Sequence, residues 1–113
     1  MNRSIKTSNF FAGLPDAKSD EVIEIVLQTD QVRIERIVSH GQATPDGQWY
    51  DQSQDEWVLV LQGAARLQFE HDDDEIPLNI GDYLRIPANH RHRVSWTDPN
   101  QKTLWLGLFF PSP

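Results

Sequence analysis

Glu56 and His92 carry the side chains best suited to chemistry in this chain. On an extended strand, residues two apart share a face. Glu56 therefore shares a face with Val58 and Val60, and His92 with Val94 and Trp96. A carboxylate and an imidazole turned into an apolar interior need partners. The pair suits Zn, Fe, Ni or Mn, but two protein ligands are too few for a tight site. His40, His90, Gln52, Asp51 and Tyr50 are the candidates to complete it. His40 has the parity of Val32, Ile34 and Val38, which reads as inward, and His90 has the parity of His92 but sits at a turn. The alternative is a metal-free cavity in which Glu56 and His92 bond to each other or to water.

Arg36 also falls on the parity of Ile34 and Val38. A buried arginine is rarely unpaired, so it would neutralise Glu56 or bind an anionic ligand bidentately, unless a bulge or strand end turns it outward. Tyr50, near Glu56 in sequence, can hold a ligand oxygen, donate a proton or simply lid the core. Asp46, Asp51 and Asp55 read as an acidic loop, with Glu56 alone inside. Arg91 and Arg93 are outward by parity and suit pairing with carboxylates such as those of Asp72 to Glu75, and His71 reads as surface. Trp96 reads as a cavity residue, while Trp57 and Trp105 read as an outer face that a second subunit covers, giving a homodimer.

The elements that must position these groups are short. Val22–Gln28 reads as a strand, and 32–40 as another after the turn Thr29-Asp30-Gln31. Residues 41–47 hold Gly41, Pro45, Asp46 and Gly47, which is loop chemistry. Further strands are expected over 56–62, around Leu67 and Phe69, around Ile76 to Ile80, over 83–86, around His92 to Trp96, and over 103–110. About eight short strands with regular turn signals define an all-β sandwich or barrel.

The chain has 113 residues, enough for one domain with one core. No cysteine is present, which excludes disulfides, thiolate metal sites and a cysteine nucleophile. Ten basic residues against 17 acidic ones give a formal charge of −7, which disfavours nucleic acid and anionic membrane as partners. No apolar run approaches the ~20 residues of a spanning helix. Met1 to Asn9 lack the apolar core of a signal peptide, so a cytoplasmic location is expected.

Residues 44–96 resemble the cupin superfamily. Its first motif ends in glutamate, six residues, then glycine, as in Glu56 and Gly63. Its second runs from glycine through proline to histidine, as in Gly81, Pro87 and His92. Asn89 stands where glycine is usual, and both tolerate positive φ. The resemblance implies a double-stranded β-helix, the cupin jelly-roll barrel, over 22–113, with 1–21 as an N-terminal arm. It also implies a commonly dimeric protein. The histidine pair that usually opens the first motif is absent, and Tyr50 and Gln52 occupy its place. Of the four usual metal ligands the resemblance carries over only Glu56 and His92. The reading is a barrel whose cavity binds a small polar or anionic metabolite, with a divalent metal on Glu56, His92, His40 and Gln52 or with none. Arg36, Tyr50, His90 and Trp96 are the expected cavity residues, and Tyr50 and His92 the candidates for acid or base in a metal-independent isomerase. A binding or structural module with a decayed metal site is the remaining alternative.

Overall fold

The computed structural model describes residues 4–113, so the first three residues of the expected arm lie outside the described residues. Eight strands follow one another: β1 (Val22–Gln28), β2 (Arg33–Ser39), β3 (Gln54–Gln62), β4 (Ala65–Phe69), β5 (Glu75–Leu78), β6 (Tyr83–Ile86), β7 (His92–Thr97) and β8 (Thr103–Pro111). They form a five-stranded sheet in the order β1-β2-β8-β3-β6 and a three-stranded sheet in the order β5-β4-β7. All pairings are antiparallel. The expected all-β jelly roll is the fold the chain forms, and no described helix is long and apolar enough to cross a membrane.

The core lies where the two sheets face each other. Val58, Val60, Ala65, Leu67, Leu78, Ile86 and Trp105 are buried there, with Ile37, Phe69, Leu84 and Val94 packed around them. Each comes from the inward parity of its strand, so one alternation on each side fills one interior. Trp105 thus belongs to the core and not to an outer face; it is 4% exposed, and its indole N–H donates to Ser39 Oγ at 3.2 Å.

A second apolar cluster covers the back of the large sheet. Ala17, Val38 and Leu104 are buried there against Phe10, Leu14, Val22 and Leu61. The segment before β1 therefore shields the outer parity of β2 and β8. That segment is anchored by Arg36, whose Nη1 donates to the carbonyls of Phe10 (3.1 Å) and Ala12 (2.7 Å).

This second cluster overturns the inward parity expected for β2. Val38 and Arg36 face the arm and β1, while Arg33, Glu35 and Ile37 line the interior. Arg36 is fully engaged outside, with Nε and Nη2 on Glu24 Oε1 at 3.1 and 2.8 Å. A further correction concerns Trp96. Leu67 pairs with Val94 but Arg66 with Trp96, so Ser95 is an extra residue that bulges β7. The bulge reverses the alternation, and Trp96 lies under the Arg66 guanidinium, 4.6 Å from it, instead of lining the interior.

Candidate functional site

The interior opens at one end into a cavity of about 210 Å³. Apolar side chains dominate its wall, among them Ile37, Val58, Leu67, Ile86, Trp105 and Phe109. Its polar groups are Glu21, Arg33, Glu35, Gln52, Glu56 and His92, with Tyr50 at the mouth. This balance of apolar wall and few convergent polar groups is that of a small-molecule site.

Glu56 comes from the large sheet. Its Cα partners are Ile86 on β6 and Phe109 on β8, so inward apolar neighbours flank it on both sides. Only 8% of the residue is exposed. Gln52 Nε2 donates to Glu56 Oε1 at 2.8 Å. Burial nevertheless pushes the carboxyl up to about 7: the Gln52 hydrogen bond and the Arg33 charge oppose the rise, and the Glu35 and Glu21 charges add to it.

His92 comes from the small sheet, opposite Phe69 on β4. Its ring packs against those of Phe69 (centroids 6.0 Å) and Tyr50 (5.7 Å, planes inclined at 29°). Nδ1 is 2.9 Å from the His90 carbonyl oxygen, which only accepts, so Nδ1 carries the hydrogen. In the neutral ring Nε2 then keeps its lone pair, and it stands 3.7 Å from Glu56 Oε1. Burial lowers the imidazole's affinity for a second proton, against the raising effects of the His90 carbonyl and the Asp51 charge. Near neutral pH the pair is therefore a carboxyl close to half-protonated facing a neutral imidazole.

The loops that carry these groups are tied together. Tyr50 and His92 exchange backbone hydrogen bonds (Tyr50 N to His92 O 2.7 Å, His92 N to Tyr50 O 3.1 Å), and Asn89 N donates to Gln52 O at 2.7 Å. Asn89 adopts φ 63°, the conformation that makes it an adequate substitute for glycine. Asp55 is fully buried and accepts from Ala88 N at 2.8 Å and Arg85 Nε at 2.7 Å, which pins the turn before His92. The expected solvated acidic loop thus does not include Asp55.

Glu56, Gln52, His92 and Tyr50 are brought together. His40, Arg36, His90 and Trp96 are not. The His40 ring reaches the Asp16 carbonyl at 3.2 Å, beside the arm, because its parity belongs to the shielded face of β2. His90 lies in a separate depression with Phe69, Glu70, His71, Asn89 and Arg91. Glu21, Arg33 and Glu35 were missed in the sequence. Their signal was the Arg-Glu-Ile alternation at 33, 35 and 37, masked by the more apolar even positions that the arm covers.

The donor set does not fit the resident metal that the jelly-roll resemblance implies. Glu56 and His92 supply one carboxylate and one imidazole, and the described residues gather no third histidine, cysteine or carboxylate into a ligand group with them. Gln52 turns its amide nitrogen, which cannot ligate, toward Glu56.

The cupin domain family profile matches residues 34–108, and the chain belongs to that family. Among solved structures it is similar to a protein from Ralstonia eutropha JMP134 provisionally named a mannose-6-phosphate isomerase. The two are 42% identical with a TM-score of 0.91, covering 96% of this chain and all of that one. A cupin superfamily protein from Desulfitobacterium hafniense DCB-2 is 21% identical with a TM-score of 0.76, over 99% of this chain and 97% of its own. An RmlC-like cupin with a double-stranded β-helix fold from Methanocaldococcus jannaschii shows 17% identity and a TM-score of 0.70, over 100% of this chain and 94% of that one. No curated protein matches.

Proposed function

We propose that the protein is a metal-independent isomerase-type cupin that moves a proton on a small carbonyl compound held in its cavity. The observation that carries this reading is the Glu56 carboxyl, held at about 7, facing the lone pair of His92 Nε2 at 3.7 Å. That gap is too long for a direct hydrogen bond and leaves the two groups free to act on a ligand. His92 Nε2 takes the proton from the carbon next to the carbonyl, and the C–H electron pair forms the carbon–carbon double bond of an enol. The protonated Glu56 gives its proton to the carbonyl oxygen. The enol faces a Glu56 carboxylate and a His92 imidazolium, an ion pair stabilised by its own proximity. Where the ligand is an α-hydroxy ketone, the His92 imidazolium gives its proton to the former carbonyl carbon, the Glu56 carboxylate takes the proton of the hydroxyl on the neighbouring carbon, and that oxygen becomes the new carbonyl, which completes the isomerisation and restores both groups. The name of the Ralstonia relative supports an isomerase reading.

Solvent exchange tests it. Protein dialysed against EDTA is incubated with hydroxyacetone or 2-oxobutyrate in D₂O, and deuterium entry beside the carbonyl is followed by NMR. Exchange above the buffer rate is expected, and Glu56→Gln and His92→Ala should each lower it by about 10²–10⁴-fold. No exchange above buffer, or exchange unaffected by both substitutions, overturns the reading. Binding without turnover is the second reading, favoured by the predominance of apolar side chains in the wall.

A homodimer is part of the proposal. Trp57 packs on Tyr83 (5.3 Å between rings) on the outer face of the large sheet, and Tyr83 is 64% exposed. The edge strand β1 exposes Ile23, Ile25, Val26 and Leu27. These two patches lie toward opposite edges of the large sheet, and a second copy covering either would remove it from water. Light scattering should give about twice 13.0 kDa, and a monomer at tens of micromolar would count against it.

A further inference from the structure

Arg33 is the one lysine or arginine in the cavity wall among the described residues. Two contacts fix its orientation. Nε donates to Glu35 Oε2 at 2.9 Å, and the guanidinium carbon lies 4.3 Å from the centroid of the Phe109 ring. Its side chain remains 29% exposed, and its two terminal nitrogens make no hydrogen bond to any described residue. Arg36, three positions on, has every nitrogen engaged by Glu24 and by the carbonyls of Phe10 and Ala12. A guanidinium held flat by stacking and by one carboxylate, with its outer edge open, is arranged for planar recognition of an oxyanion.

We propose that Arg33 is the specificity residue of the cavity, taking the carboxylate of a small oxo-acid monoanion whose carbonyl end reaches Glu56 and His92. The proposal rests on reading this cavity as a ligand site. Three observations narrow the class. A volume of about 210 Å³ suits a ligand of roughly six to nine non-hydrogen atoms, since an engineered cavity of ~150 Å³ holds benzene. A single guanidinium matches a single negative charge. Glu21 and Glu35 line the same cavity, so a phosphate dianion would meet more repulsion than a monocarboxylate. Glu35 is itself occupied by Arg33, and the Glu56 carboxyl, at about 7, is largely uncharged below neutral pH.

The test is calorimetry at pH 6.5 with three probes: 2-oxobutyrate, uncharged 2-butanone, and inorganic phosphate. Wild type, Arg33→Gln, Arg33→Lys and Arg66→Gln are compared, each checked for folding by circular dichroism. Arg66 stacks on Trp96 away from the cavity and controls for net charge. We expect 2-oxobutyrate to bind at least tenfold more tightly than 2-butanone. Arg33→Gln should weaken it by 10–100-fold, Arg33→Lys should recover part of the loss, and Arg66→Gln should leave it unchanged. Binding of 2-oxobutyrate that is undetectable, or equal in wild type and Arg33→Gln, overturns the proposal. Phosphate binding more tightly than 2-oxobutyrate overturns the monocarboxylate assignment. Arg33-dependent binding without deuterium exchange would remove the proton-transfer reading and keep this one, whereas exchange with no dependence on Arg33 would do the reverse.

Discussion

Gly63→Ala should be among the most destabilising single-methyl additions in the chain, at about 2–5 kcal/mol. Gly63 adopts φ +85° where β3 turns toward β4, and its missing side chain faces the start of β8. An added Cβ would lie 2.6 Å from Thr103 Cα and 2.7 Å from the Lys102 carbonyl oxygen, and would strike Thr103 Oγ1 as well. Backbone cannot swing aside as a long side chain can. Thr103 is fully buried, and its hydroxyl is bonded to Ala64 N and O at 3.3 and 3.2 Å. The left-handed conformation alone costs alanine ~1–2 kcal/mol, and overpacking adds ~1–3. Gly47 separates the two terms, since it has φ +80° with nothing within 4 Å of the added carbon. Gly47→Ala should cost only about 1–2 kcal/mol in urea unfolding. Equal losses for the two variants would show that the close approach to Thr103 contributes nothing.

The same glycine explains why so much of the fold is legible in the sequence. Gly63 and Gly81 both need positive φ, and Asn89 supplies it in place of a third glycine. These turns, with the alternation of Leu67 and Phe69 or Ile76 and Leu78, mark the eight strands with bounds close to those observed. Alternation does not say which face is inside when both are covered. In β2 the even positions are the more apolar because the arm and β1 shield them, so Arg36 and His40 read as cavity residues while Arg33 and Glu35 occupy it. In β7 the parity of His92 and Val94 is right, but the bulge at Ser95 reverses it for Trp96. A bulge is a property of pairing with β4, and nothing local at Ser95 announces it. Glu56 was legible because it shares a face with Val58 and Val60 and ends the first cupin motif, and the short loop leaves Gln52 within reach of the carboxyl. Asp55 reads as surface in the sequence because its partners, Arg85 and the Ala88 amide, lie some thirty residues away.

Glu56→Gln should stabilise the protein at alkaline pH while lowering the proposed proton transfer by about 10²–10⁴-fold. The wild-type carboxyl titrates at about 7 in the folded protein, against the ordinary 4.5 of a glutamate in the unfolded chain. Below pH 4.5 both states hold the proton and the group has no pH-dependent effect. Between 4.5 and 7 the unfolded chain ionises while the folded one keeps its proton, so stability falls as pH rises. Above 7 the loss is complete, at about 3 kcal/mol from the difference between the two values. Glutamine has nothing to ionise, keeps the shape and can accept from Gln52 Nε2. Its advantage over wild type should therefore be absent at pH 4.5 and grow to about 3 kcal/mol by pH 8, measured by urea unfolding across that range. His92 imposes the opposite trend on both proteins: it is held neutral by burial, so stability falls as pH drops through 6.5, where the unfolded imidazole charges. The two opposed trends overlap between pH 4.5 and 6.5, and Glu56→Gln should lose the alkaline decline while keeping the acid one. A variant less stable than wild type at pH 8 would mean that the carboxyl is not raised to about 7 and that a cation keeps it ionised below neutral pH. In that case the carboxyl would have no proton to give to a ligand at neutral pH, and the acid–base pairing with His92 would fail with it.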